Sequence, residues 1–414
     1  MRYPDSDRAQ DVADRARALL EEVILPLERE RPGGMAVSSG TVATLRDAAR
    51  EYGVYAPQIA AEYGGMGLDF RDALPAFEQA GRSLLGPVAM RVDAPDEGNM
   101  HLLELVGTDL QKETYLEPLV AGELASGFSM TEPMQGAGSD PTMIRTTAEK
   151  DGDEWLIDGH KWWTTQGIEA DVLIVLARTD PEAHPYDGCS LFLVPADADG
   201  VEVVRDIPHM GGGNRGVSHA EIRYDGVRVP DEHLLGERNR GFHHAQERLG
   251  PARLTHCMRY AGMAERALEI AKAYLSERRG FDSTLSEQGS LRHRIADAET
   301  RLHVARTAIR DAADRITAGD DARVPVSMCK VFTASVAQNA IDLAVQCCGA
   351  NGIGKDLPLS DFYESVRQFR IVDGADEVHR RVIARAAFED VDRDELEPVT
   401  RFGEPTRDRG AGGR

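Results

Sequence analysis

No apolar run in this sequence approaches the ~20 residues that crossing a bilayer as a helix requires, so nothing in it reads as a membrane span. Positive charge is also scarce: 48 Lys and Arg stand against 70 Asp and Glu, a formal net charge of -22. That balance argues against a general nucleic-acid binder and against docking on an anionic membrane surface, so a phosphate-bearing ligand must meet a local cluster of donors. Cysteine is sparse too, five in 414 residues with Cys347 and Cys348 adjacent. There is no disulfide framework and no CxxC or Cys/His zinc spacing, which suits a reducing compartment. His160, His219 and His379 form no metal spacing either, and no metal is expected. The N-terminal stretch alternates acids and arginines from Asp5 to Glu22, unlike a signal peptide's apolar core or an acid-poor transit peptide. The expectation is a soluble, cytoplasmic protein, long enough for two or three domains.

Three regimes of periodicity follow one another. Helical spacing in 10–28, ending at Pro26, and in 41–52 and 77–85 makes 1–125 an N-terminal helical domain. From Ser126 short β-rich runs take over: 142–150 and 154–163 around the Asp151-Gly152 turn, then 172–178, 189–194, 201–204 and 219–229. This predicts a small central antiparallel β domain over 126–240. Beyond Gly241, Leu254, Cys257, Ala261, Ala264, Leu268, Ala271 and Leu275 step by three and four. The same spacing recurs from Leu291 to Ile316, and a third helix spans about 327–348, giving a C-terminal four-helix-bundle domain over 241–395. The Pro-, Gly- and charge-rich 396–414 reads as a disordered tail. The fold class is therefore α+β, multidomain.

Several motifs sit on this frame. FSMTEP, from Phe128 to Pro133, is followed by GAGSD at 136–140, and GHKWWTT begins at Gly159. QERLGPAR covers 246–253, ERRGF begins at Glu277 with EQG at 287–289, QCCGANG covers 346–352 and RIVDGADEVH covers 370–379. Taken singly, each has an ordinary reading. DGADE and GAGSD are turn chemistry, a strand Trp is usually core, and an Arg at a helix start is usually solvated.

In this order, over about 53–385, the motifs resemble the acyl-CoA dehydrogenase family, flavoproteins that desaturate acyl thioesters between Cα and Cβ. RIVDGADEVH resembles the branch with an Asp base. The resemblance implies that Asp373, where Glu is commoner, removes the α-proton. It implies FAD, contacted by Phe128, Met130, Thr131, Ser139, Trp163, Thr165, Arg278, Phe281, Gln288, Gln346, Gly349, Ala350, Ala375 and Glu377. Arg278 and Phe281 would reach a neighbour's FAD across a subunit boundary, so a homodimer or homotetramer is implied. Ser139, Arg253 and Gly374 would meet the substrate, an acyl-CoA or acyl-pantetheine thioester. Asn99 and Met100, in PDEGNMH, would line its acyl-tail cavity, although a capped helix start explains that stretch as well. The Asp373 N–H would help hold the thioester oxygen, and electrons would leave to an electron-transferring flavoprotein. Some positions depart from the family pattern: Met134 and Gln135 lengthen the flavin segment, Gln166 replaces Asn, Asp282 and Ala350 replace Gly, and Val372, Ala375 and Glu377 replace Tyr, Thr and Gln. The alternatives are a same-fold flavin oxidase of the nitroalkane oxidase type, which also uses Asp, and a non-catalytic flavin-binding relative.

Overall fold

The first third folds into helices whose apolar stripes share one core. In this computed structural model, which describes residues 5–33, 36–211, 217–389 and 391, α1 (Asp7–Leu19) is capped by the Ser6 hydroxyl and buries Ala9, Val12, Ala16 and Leu19. The chain does not leave the helix at Pro26 as expected. A wider π-type turn at Leu20–Ile24 leads into Leu25–Arg29, where Pro26 falls in a first turn; a missing N–H costs little there. Next come α2 (Ser39–Glu51), α3 (Phe70–Ala80) and α4 (Asp96–Val106). α3 starts well before the expected 77–85 segment because Asp69 caps it, its carboxylate accepting from the Asp72 N–H.

The middle is a sheet in the order β6-β7-β3-β2-β4-β5-β8, with β1 also on β4. Its strands are β1 (Ser126–Ser129), β2 (Thr147–Asp151), β3 (Glu154–Thr165), β4 (Val172–Arg178), β5 (Cys189–Pro195), β6 (Val201–Asp206), β7 (His219–Pro230) and β8 (Leu234–Leu235). Most ladders are antiparallel, including the β2–β3 hairpin that pairs Asp151 with Glu154. Two pairings are parallel, β1 with β4 and the Thr147–Arg178 contact of β2 with β4. Alternation cannot reveal this, because side chains keep period two in either ladder.

The C-terminal helices are α5 (Gly241–Glu277), α6 (Gly289–Ala318), α7 (Arg323–Cys348), α8 (Leu359–Phe369) and α9 (Asp376–Glu389). Between α5 and α6 lies a two-stranded hairpin, β9 (Arg279–Gly280) and β10 (Ser283–Thr284). The α5 stripe from Leu254 to Leu275 is buried in a cluster continuous with the N-terminal helices, whereas the sheet keeps a separate core around Trp155 and Phe192. Both helical regions therefore present one floor to the sheet, which lets α4, α5 and β1 converge. All five cysteines are free and buried. Among the described residues no helix is long and apolar enough to cross a membrane, and no His/Cys/Asp/Glu group is arranged for a metal. The tail expected over 396–414 lies outside the described residues.

Candidate active site

Asp373 sits in the tight connection between α8 and α9, with φ +55°, a left-handed backbone that Asp tolerates better than most residues. The connection is clasped at its root. Asp376 accepts from Arg370 Nε at 2.9 Å and from Lys330 Nζ at 3.3 Å, and both Lys330 and Asp376 are fully buried. Its tip is clamped through the Asp373 carbonyl, which accepts from Arg253 Nε at 2.9 Å and from His379 Nε2 at 3.1 Å. Gly374, at φ +94°, is required here, since a Cβ would lie 2.9 Å from His379 Nε2. The sequence motif thus becomes a carboxylate on a strained loop held by three helices.

The carboxylate faces α5. Its Oδ2 lies 3.3 Å from His256 Nδ1 and is buried without a hydrogen-bond partner. Burial pushes the Asp373 carboxyl upward, and the His256 ring with Arg248, Arg253 and Lys330 more than offsets this, holding it below its ordinary value. Burial lowers His256 to about 4. At neutral pH the pair is a carboxylate beside a neutral imidazole. His379 is likewise lowered by burial to about 4. With a folded pKa below the ordinary 6.5, its neutral state contributes stability that is complete above pH ~6.5 and lost as pH falls toward 4. The expected loss from His379 is up to about 3 kcal/mol, read from urea unfolding at pH 7 and pH 4.5. His379→Gln should show a correspondingly shallower pH dependence.

The flavin-type segment leaves β1 and is organised by one carboxylate. Glu132 Oε1 accepts from the Thr146 N–H, the Thr146 hydroxyl and Lys161 Nζ, while Oε2 accepts from the Ala137 and Arg145 N–H groups. Lys161 is fully buried and also donates to the Met130 carbonyl at 2.9 Å. The Thr131 carbonyl accepts from the Trp162 N–H, and Phe128 lies under the Arg248 guanidinium, 4.2 Å from its ring centre. Met134 and Gln135 form an outward turn, Met134 being 87% exposed. Ser139 is exposed on the same loop.

On β3 a one-residue register shift against β7 falls between Lys161 and Thr164. Trp163 sits in that bulge at φ +56° with 42% of its surface exposed. The neighbouring Thr165 hydroxyl lies 3.1 Å from His219 Nδ1. Trp162, for which the usual core position of a strand Trp was expected, is only half-buried, because it follows the buried Lys161 and so points to the opposite face of β3. Gln166 Nε2 reaches Asp96 Oδ2 at 3.1 Å, tying the strand end to α4.

Of the remaining expected contacts, Ala375 and Glu377 adjoin the base loop and the others come from other elements. Arg278 is exposed at the end of α5, and Phe281 is 90% exposed at the β9–β10 tip. Phe281 and Asp282 both have positive φ, +55° and +65°, the geometry of a tight hairpin that normally takes Asn or Gly. Gln288 Nε2 binds Ser283 Oγ at 3.0 Å. Gln346 and Ala350 are exposed around Gly349, at φ +59°, where an added Cβ would meet nothing within 4 Å. Ala375 begins the α9 cap, accepting from the His379 N–H, and Glu377 pairs with Arg380. Asn99 and Met100 are wholly buried. Asn99 links Ser126 Oγ to Arg248 Nε, and Arg91–Asp96 forms a buried ion pair beside it.

Sequence reasoning missed His256, Arg248, Glu97 and Glu132. Glu97 is buried and raised by burial, and it accepts from the Thr255 hydroxyl. A signal existed for His256, which stands three residues after Arg253 and so on the same helical face.

Profiles of the acyl-CoA dehydrogenase N-terminal, middle and C-terminal domains match residues 6–123, 127–227 and 239–388. The chain belongs to the acyl-CoA dehydrogenase family. It is 41% identical to the Mycobacterium tuberculosis protein named "Probable acyl-CoA dehydrogenase FadE2", over 83% of this chain and 84% of that protein. To mouse acyl-CoA dehydrogenase family member 11 it is 34% identical over 94% of its length, spanning 51% of that longer protein. Butyryl-CoA dehydrogenase from Megasphaera elsdenii superposes with a TM-score of 0.83 at 27% identity, covering 94% of this chain and all of that one. The family is one of flavoprotein oxidoreductases, and the residues present fit its FAD. Trp163 offers a partly exposed ring beside Thr165, Gly349 leaves open space at its backbone, and Arg278 offers an exposed guanidinium.

Proposed function

We propose that this protein is a FAD-dependent acyl-CoA dehydrogenase in which Asp373 removes the α-proton of an acyl-CoA or acyl-pantetheine thioester. The observation that carries the reading is a carboxylate on a strained, doubly clamped loop. Asp373 keeps one oxygen without a hydrogen bond, and Arg253 and His379 grip its backbone rather than its carboxylate. A positioned base that no Arg or Lys grips can accept a proton within hydrogen-bond reach. The Asp373 N–H would hold the thioester oxygen, since the α-proton becomes acidic enough only if the enolate is stabilised as it forms. Thr131, Trp163 and Thr165 would hold the flavin ring, and Arg278 and Gln346 the diphosphate side. When bound, FAD supplies the acceptor for the β-hydride. An electron-transferring flavoprotein is the expected acceptor of the electrons. The exposed Phe281 on its strained turn supports a homodimer or homotetramer in which that ring completes a neighbour's site.

The purified protein should be yellow, and anaerobic addition of saturated acyl-CoA thioesters should bleach it. Failure to bind added FAD would sink the cofactor reading. Oxygen consumption with nitroalkanes, without bleaching by thioesters, would instead support the oxidase. Light scattering should report a dimer or tetramer, and a FAD-loaded monomer would count against the shared site.

A further inference from the structure

We propose that His256 is the positioning residue for the base, orienting the Asp373 carboxylate through an Nδ1–H shared, as a three-centre hydrogen bond, with the Ala252 carbonyl; this rests on Asp373 being the base. His256 Nδ1 lies 2.7 Å from the Ala252 carbonyl oxygen and 3.3 Å from Asp373 Oδ2. Both neighbours are acceptors, so the proton resides on Nδ1 of the neutral ring. The ring stacks on Phe369 with an interplanar angle of 17°, and Phe369, itself fully buried, stacks on Tyr260. The imidazole plane is therefore set by packing, and it keeps Nδ1 between the Ala252 carbonyl and Oδ2.

The other polar groups around this pair have other commitments. On α5, Arg253 donates to the Asp373 carbonyl and Arg248 to Asn99 and Pro95, while Arg259 donates through Nη1 to the Val92 carbonyl and leaves its buried Nη2 without a partner. Lys330 on α7 faces Asp376, as does Arg370, and His379 on α9 binds the Asp373 carbonyl. Glu97 on α4 accepts from Thr255. Among the described residues His256 is the basic side chain within 4 Å of Oδ2, an oxygen that has no hydrogen-bond partner of standard geometry. A donor here favours the ionised base and limits its rotation; its loss makes the base protonate at higher pH and wander.

Two substitutions separate this role from simple packing. His256→Phe keeps a ring on Phe369 but removes the donor, whereas His256→Asn places an amide N–H near the Nδ1 position and removes the ring. Rapid-mixing reduction of the FAD-loaded protein by an active thioester, followed against pH, is the readout. The Phe variant should lose about 10- to 100-fold in limiting rate, and its acid limb should move up by about one unit. Thioester affinity should change little. The Asn variant should keep the parent's acid limb and most of its rate. Loss of both in the Asn variant, or a parent-like Phe variant, would overturn the proposal, and the Asn result decides alone if the Phe variant does not fold. Asp373→Asn measured alongside distinguishes the two readings: if it bleaches normally the base assignment has failed, not merely its positioning.

Discussion

Asp373→Asn is expected to keep FAD and thioester binding while flavin reduction slows by roughly 10²- to 10⁴-fold, the usual contribution of a positioned general base. Asn tolerates the left-handed backbone that residue 373 adopts at φ +55°. The clamps on the loop bind the main-chain carbonyl, so they survive the change. The variant should therefore fold with its loop in place. Asp373→Glu should be worse than the parent rather than better. Oδ2 is already buried and 3.3 Å from His256, so an added methylene must move the carboxylate, and misplacement by about 1 Å costs roughly a hundredfold. Rapid-mixing spectroscopy on both variants decides the matter. An Asn variant reduced at the parent rate would show that another residue is the base.

The second large effect is expected at the root of the same loop. Asp376→Ala leaves the fully buried Lys330 ammonium without its carboxylate and releases Arg370. Breaking a buried pair from one side costs about 3–5 kcal/mol. Urea unfolding should show that loss, and flavin reduction should slow as well, because the α8–α9 connection is no longer closed. Replacing both partners, with Lys330→Met and Asp376→Leu, should recover much of the stability, since an apolar pair carries no stranded charge. It should not restore the rate, because Arg370 still lacks its anchor. If the double variant were as fast as the parent, the clasp would have no bearing on the base.

The sequence carries much of this site. The RIVDGADEVH motif places the base candidate in turn chemistry, which Gly374 and Asp376 fulfil. The long α5 stripe was equally readable, because burial on one face leaves a three-four spacing. The α1 end was not, since the widened turn at Leu20–Ile24 comes from backbone hydrogen bonding that no residue type announces. The parallel β1–β4 pairing was hidden for a similar reason: register and direction are tertiary choices. Arg248, Glu97 and His256 look like ordinary helix residues until α4 and α5 are packed together. Only then do Asn99 and Met100, expected to line the acyl-tail cavity, show their wholly buried setting, with Asn99 tied to Arg248.

The Glu132 hub makes backbone length nearly irrelevant at one point. Its carboxylate fastens the segment at Ala137, Arg145 and Thr146, and the Glu132 N–H closes the small ring by donating to the Ala137 carbonyl at 2.7 Å. Met134 and Gln135 hang outside that knot, and the extra chain is extruded rather than transmitted. Position 134–135 is therefore a natural splice point. A short flexible insert there, a protease site or a fluorophore-bearing peptide, would ride on the surface close to the flavin segment while its two anchored ends stay still.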